Sequence, residues 1–172
     1  SFTAFDFSRE FKRASIDRVL ANFVKEGKIR RVCRGVYDYP RYSKLLEQLL
    51  SPDFDQVARA LARKFNWRIQ ASGIAALNLL GLSTQVPGKI VYLSDGPDRT
   101  YNIGQSELQF KKAALKNIGF KYRESGLIVH ALKALGQQHI DDDVIKSIRK
   151  KIDVKKYNQI MLDTNTVTGW IY

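Results

Sequence analysis

An α+β fold is predicted for this chain from three observations. Residues 3–40 carry two short helical patterns that lead into a basic ribbon, Gly27-Lys-Ile-Arg-Arg-Val-Cys-Arg-Gly-Val-Tyr-Asp-Tyr-Pro40. Three segments between Lys89 and Ala113 alternate like strands. The remaining chain, on both sides of those strands, repeats its apolar residues at helical spacing. Together they predict an N-terminal winged helix-turn-helix over 1–40 and a larger domain over 41–172, built of helices around a small antiparallel sheet.

The elements follow in order. Thr3 and Asp6 have the spacing of an N-cap and its reciprocal acid, so one short helix is expected to about Phe7, with Phe2, Phe5, Phe7 and Phe11 as apolar contacts. The next helix is expected from Ser15 as N-cap to just before Gly27, turning Ile16, Val19, Leu20, Phe23 and Val24 inward. Its opposite face would carry Arg13, Ser15, Asp17, Arg18, Asn22 and Lys25. Lys28 to Val32 and Val36 to Tyr39 read as strands, joined at Cys33-Arg34-Gly35, where glycine can take positive φ. Arg30, Arg31 and Arg34 would then project from this wing. A winged helix has a further helix before these two, and the chain starts at Ser1 without methionine, so the native N-terminus is expected to lie upstream.

Beyond Pro40 to Tyr42, the expected domain boundary, Leu45, Leu46, Leu49 and Leu50 suggest a short amphipathic helix ended by Ser51-Pro52. Asp53 to Phe65 forms another, with Phe54, Val57, Ala58, Leu61 and Phe65 inward. Ser72 to Leu80 is almost wholly apolar and reads as a buried helix stopped at Gly81. Lys89 to Leu93, Arg99 to Ile103 and Glu107 to Ala113 suggest an antiparallel meander. Leu127 to Leu135, Val144 to Ile152 and Lys156 to Leu162 close the chain as helices, the second capped within Asp141-Asp142-Asp143.

Charge narrows the partners. The 172 residues hold 29 Lys and Arg against 17 Asp and Glu, a net +12, which favours a polyanion. Between Arg9 and Arg34 nine basic residues face three acidic ones, a local +6, a density that suits a phosphate backbone. With the helix face aimed at a major groove, the ten residues Arg13, Ser15, Asp17, Arg18, Asn22, Lys25, Lys28, Arg30, Arg31 and Arg34 are the candidate contacts with double-stranded DNA. No apolar run is long enough to span a membrane and no signal peptide is seen, so a cytoplasmic protein without a membrane partner is expected. Two further basic stretches, Lys111 to Arg123 and Lys146 to Lys156, either widen the DNA footprint, contact an RNA, meet an acidic surface of a protein partner or serve solubility alone.

Catalysis is weighed and set aside. Asp98 with Glu107 and Gln109 has the outline of a Mg²⁺ nuclease motif, but Gln stands where lysine is wanted. Asp95 and Asp98 lack the Gly-Ser element of a nucleotidyltransferase. His130 and His139 have no ligand-spaced neighbours and are expected at a helix surface or cap, and Cys33 is expected as a small apolar residue in a strand. No cofactor or metal is expected.

Several segments together resemble one known family. Val24-Lys-Glu-Gly-Lys-Ile-Arg-Arg31, Arg34-Gly-Val-Tyr-Asp-Tyr-Pro40, Gln56-Val-Ala-Arg-Ala-Leu-Ala-Arg63, Ser72-Gly-Ile-Ala-Ala-Leu-Asn-Leu-Leu-Gly-Leu-Ser-Thr-Gln-Val-Pro87 and Lys89-Ile-Val-Tyr-Leu-Ser-Asp-Gly-Pro97 are similar to the AbiEi-type antitoxins of abortive-infection, type IV toxin-antitoxin systems. The resemblance implies a winged helix that binds inverted repeats in its own operator and represses its operon. It also implies a C-terminal domain that neutralises a nucleotidyltransferase-like toxin. The alternatives are a stand-alone DNA-binding regulator with a ligand-binding or dimerisation domain and, third, a Mg²⁺-dependent nuclease.

Overall fold

The computed structural model describes residues Ser1–Ile171 and is a mixed α+β structure. Its contacts divide the chain into two compact units. The first holds Ser1–Trp67 with Thr100–Leu108, and the second holds Arg68–Arg99 with the chain from Gln109 onward. The first unit thus reaches well past Pro40.

That unit begins with a 3-10 turn, Ala4–Phe7. Thr3 caps it as the spacing predicts: its hydroxyl accepts from the Phe5 N–H, while the Asp6 carboxylate accepts from the Thr3 N–H at 2.7 Å. Helix α1, Arg13–Lys25, follows. It starts two residues before the expected cap, so Ser15 lies within the first turn and caps nothing. Lys12 is the N-cap residue and its carbonyl accepts the first bonds, from the Ser15 and Ile16 N–H groups. Only Ile16 and Leu20 of the expected inward set are fully buried, with Val24 packed beside them; Val19 and Phe23 are exposed. The cause is width. The core beneath α1 consists of Ala4, Ile16, Leu20 and Ile29, with Phe2, Val24 and Tyr37 against it, which is enough to cover one narrow stripe.

Strands β1 (Arg30–Cys33) and β2 (Val36–Asp38) form the antiparallel ribbon, pairing Arg30 with Asp38, Arg31 with Tyr37 and Cys33 with Val36 around a bulge. The two-residue Arg34-Gly35 turn needs Gly35 at φ +77°, where a side chain would be strained. Phe2 pairs with Tyr37 through N–H···O bonds of 2.9 and 2.8 Å, so the ribbon gains a one-residue third strand.

The leucine-rich stretch is not a helix. Strands β3 (Tyr42–Ser43) and β4 (Gln48–Leu49) make a small antiparallel hairpin that leaves Leu45, Leu46 and Leu49 outside. The Ser43 hydroxyl accepts the Leu46 N–H, and Glu47 takes a left-handed φ of +49°, which breaks helical continuity. Helix α2, Phe54–Phe65, is capped by Asp53, whose carboxylate accepts from the Asp55 and Gln56 N–H groups. Val57, Ala58 and Leu61 are buried as expected, joined by Ala60 and Ala62; Phe54 and Phe65 are only half-buried.

In the second unit strand β5, Ile69–Ala71, pairs antiparallel with β6, Lys89–Ser94. Between them lies helix α3, Ile74–Leu80, stopped by Gly81 in the left-handed region. Strands β7 (Arg99–Ile103) and β8 (Ser106–Lys112) complete a sheet of order β5-β6-β8-β7, although residues 100–108 group with the first unit. The meander is therefore corrected in two ways. The short β5, whose three residues show no alternation, joins one edge, and β8 rather than β7 lies next to β6.

Helices α4 (Leu115–Ile118), α5 (Arg123–Leu135), α6 (Asp142–Lys151) and α7 (Tyr157–Asp163) follow. Asp141 caps α6, as anticipated. Helix α5 has no local side-chain cap; the Asp163 carboxylate accepts the Lys121 and Tyr122 N–H groups at 3.0 and 2.9 Å instead. Among the described residues no helix is long and apolar enough to cross a membrane.

Candidate nucleic-acid interface

Helix α1 turns by about 100° per residue, which decides how its polar side chains are arranged. Ile16, Leu20 and Val24 define the inner stripe, and Ser15, Arg18, Asn22 and Lys25 lie opposite it, all exposed. Arg13 and Asp17 lie nearer the inner stripe and bind each other at 2.8 Å, both about half exposed or more. The six predicted helix residues are thus all at the surface, but four form the outward face and two form an ion pair at its flank.

On the ribbon the arginines separate by role. Arg31 and Arg34 are exposed. Arg30 is not a projecting residue: its guanidinium grips Asp38 through two bonds, Nε to Oδ1 at 3.0 Å and Nη2 to Oδ2 at 2.7 Å, and Nη1 donates to the Leu50 carbonyl at 3.1 Å. The expected role is corrected by the strand register, which sets Arg30 opposite Asp38. A bidentate fork of this kind is among the stronger polar contacts available to a protein. Asp38 correspondingly raises the affinity of Arg30 for its proton. Lys28 is exposed and pairs with Glu26 at 2.7 Å, while its ammonium stands over the Phe23 ring.

One basic group was missed from the sequence. Lys64, on α2, brings its Nζ beside the wing turn, 2.9 Å from where a Cβ on Gly35 would stand. Nothing local could have revealed it, since Lys64 lies 29 positions after Gly35. Its neighbour Arg63 faces inward chemically, binding Asp6 at 2.8 Å and the Ser1 carbonyl. For Asp6, burial works toward a higher pKa, but the Arg63 and Thr3 hydrogen bonds prevail and hold it below the usual carboxylate range. Cys33 lies half-buried in β1; burial raises its thiol pKa against the opposing pull of Lys64 and Arg31.

The residues weighed for catalysis have structural duties. Asp98 accepts the Lys112 N–H at 2.6 Å and Asp95 accepts the Arg68 N–H at 2.8 Å. Among the described residues no group of three or more His, Cys, Asp or Glu is placed to hold a metal ion. His139 is exposed as expected, on a 3-10 turn. His130 is buried, contrary to a surface placement, because α5 turns that face toward Phe120 and Asn117. Its Nε2 lies 2.7 Å from the Asn117 carbonyl, which requires the Nε2–H tautomer. Burial, partly countered by that bond, lowers its pKa.

The fold and this surface define an α+β protein with an exposed basic helix face beside a braced basic ribbon. Residues 3–160 match the model described as "Family of unknown function (DUF6088)", and the chain belongs to that family. Among curated proteins none matches the sequence.

Proposed function

We propose that this protein is a DNA-binding autorepressor and the antitoxin of a type IV toxin-antitoxin system. In this reading the N-terminal segment is a winged helix, α1 enters the major groove of operator DNA, and the β1–β2 wing follows the phosphate backbone. The observation that carries it is the union of an outward Ser15-Arg18-Asn22-Lys25 face with an exposed Arg31-Arg34 turn in one compact unit. Arg18, Lys25, Arg31 and Arg34 make no ion pair among the described residues, so their charge is available to phosphates. The likeness of the wing, α2, α3 and β6 segments to AbiEi-type antitoxins supports the second half: repression at inverted repeats and neutralisation of a nucleotidyltransferase-like toxin by the C-terminal domain, in the cytoplasm. The proposal assigns the protein no catalytic step.

A second reading, a stand-alone regulator that senses a small molecule, is favoured by one feature. An apolar cleft of about 390 Å³ in the second unit is lined by Ile128, Leu132, Ile148, Met161 and Trp170, with Arg149 among its few polar neighbours. Such a volume suits a small ligand.

The test is a salt-titrated binding assay of the protein on its own upstream DNA, competed with unrelated duplex. Tight binding that resists the competitor is expected, and equal weak binding to all sequences would overturn the reading. Co-expression with the neighbouring gene then separates the two versions, since only the antitoxin relieves a growth arrest.

A further inference from the structure

The described surface leaves large apolar side chains exposed in several places, and three of these differ in their electrostatic settings. Phe11, Val19 and Phe23 lie within Arg9–Arg34, a span with nine positive charges against three negative ones. The cleft in the second unit has Arg149 in its wall and the basic run from Lys146 to Lys156 around it in sequence. The third region, the β3–β4 hairpin, is nearly neutral: from Tyr39 to Asp55 there are two basic residues, Arg41 and Lys44, and three acidic ones, Glu47, Asp53 and Asp55.

The hairpin also exposes four large apolar side chains. Leu45 is 91% exposed, Leu46 57%, Leu49 58% and Tyr42 59%. It is not a loose loop. The Ser43 hydroxyl holds the Leu46 N–H, the Leu50 N–H donates to the Arg41 carbonyl at 2.7 Å, and Arg30 ties the Leu50 carbonyl to Asp38 of the wing. Glu47 adopts a left-handed backbone that costs about 1 kcal/mol for a side chain with no need of it. Exposed leucines on a strained, braced turn mark an interaction surface.

We propose that this hairpin is the contact between two copies of the chain, related by a two-fold axis. A chain carrying +12 repels itself, so self-association is favoured at a patch of low charge, and the hairpin, with four large apolar side chains exposed, is such a patch. A two-fold contact is self-complementary: Lys44 and Arg41 of one copy can face Glu47 of the other, while the leucines meet across the axis. Strands β3 and β4 form a two-stranded sheet of their own, so each has an edge without a strand neighbour. A hairpin of this size buries less than the roughly 800 Å² per partner of a stable complex, so the dimer is weak and concentration-dependent.

The test needs no DNA and is independent of the DNA-binding reading. Sedimentation equilibrium of the full chain over a wide concentration range is expected to show monomer and dimer in exchange. Leu45→Asp is expected to hold the chain monomeric with an unchanged circular dichroism spectrum, because Leu45 packs against almost nothing in its own chain. Leu45→Lys is expected to do the same, and the two variants mixed are expected to associate through opposite charges. A wild type that stays monomeric throughout, a dimer undiminished by Leu45→Asp, or a dimer abolished by Phe11→Ser instead would each overturn the proposal.

Discussion

In the first unit acidic side chains are spent mainly on basic side chains, and in the second mainly on backbone. Asp6 binds Arg63, Asp17 binds Arg13, Asp38 binds Arg30 and Glu26 binds Lys28. In the second unit Asp95, Asp98, Asp141, Asp153 and Asp163 each accept a backbone N–H. The difference teaches how charge is sorted in a basic protein. Pairing in the first unit commits particular cations to acidic partners and leaves Arg18, Lys25, Arg31 and Arg34 uncommitted. Capping in the second ties helix and loop ends together, so its carboxylates hold structure and are already engaged.

Tests of this contrast begin with a closely packed glycine of the second unit. A Cβ on Gly126 would stand 2.3 Å from Gln70 Oε1 and 2.8 Å from Phe120 Cδ2. Gln70 is itself buried. Gly126→Ala is therefore expected to cost about 1–3 kcal/mol in urea unfolding, and a variant as stable as the parent would show that this packing yields. Asp163→Ala comes next. It strips the Lys121 and Tyr122 N–H groups of their shared acceptor, an expected loss of about 1–2 kcal/mol by the same measurement.

The two neighbouring wing arginines sharpen the comparison. Arg30→Ala leaves the nearly buried Asp38 unpaired and is expected to lose about 1–2 kcal/mol of stability. Arg31→Ala is expected to change stability by no more than about 0.5 kcal/mol, yet to weaken DNA binding and reduce the salt slope by about one unit. If the two variants behaved alike in both assays, the division between bracing and projecting arginines would fail.

The smallest effect concerns pH. His130 has a folded pKa below the ordinary 6.5, so protonation favours the unfolded chain. Its contribution is complete above about pH 6.5 and is lost as pH falls through the lower folded value. Asp6, Glu124 and Asp163, also held low, lose theirs only in the more acidic carboxylate range. His130→Gln is expected to flatten the stability profile just below neutrality and to leave the acid limb unchanged, as read by thermal unfolding across pH.

Much of this molecule is written in short-range pattern. The Thr3-Asp6 capping box, the Gly35 turn, the Gly81 stop of α3 and the Asp141 cap each depend on residues within four positions of one another, so the sequence determines them by itself. The mixed α+β class follows from the same local periods. The leucines at 45, 46, 49 and 50 mimic a helix because period alone carries no information about what lies opposite; with no core to receive them, the chain closes a hairpin and leaves three of them exposed. Which arginine braces the wing, which lysine stands by its turn, which aspartate caps α5 and where β8 inserts were decided only by tertiary structure. Each depends on partners eight to some forty residues away, brought within reach by strand register and helix packing.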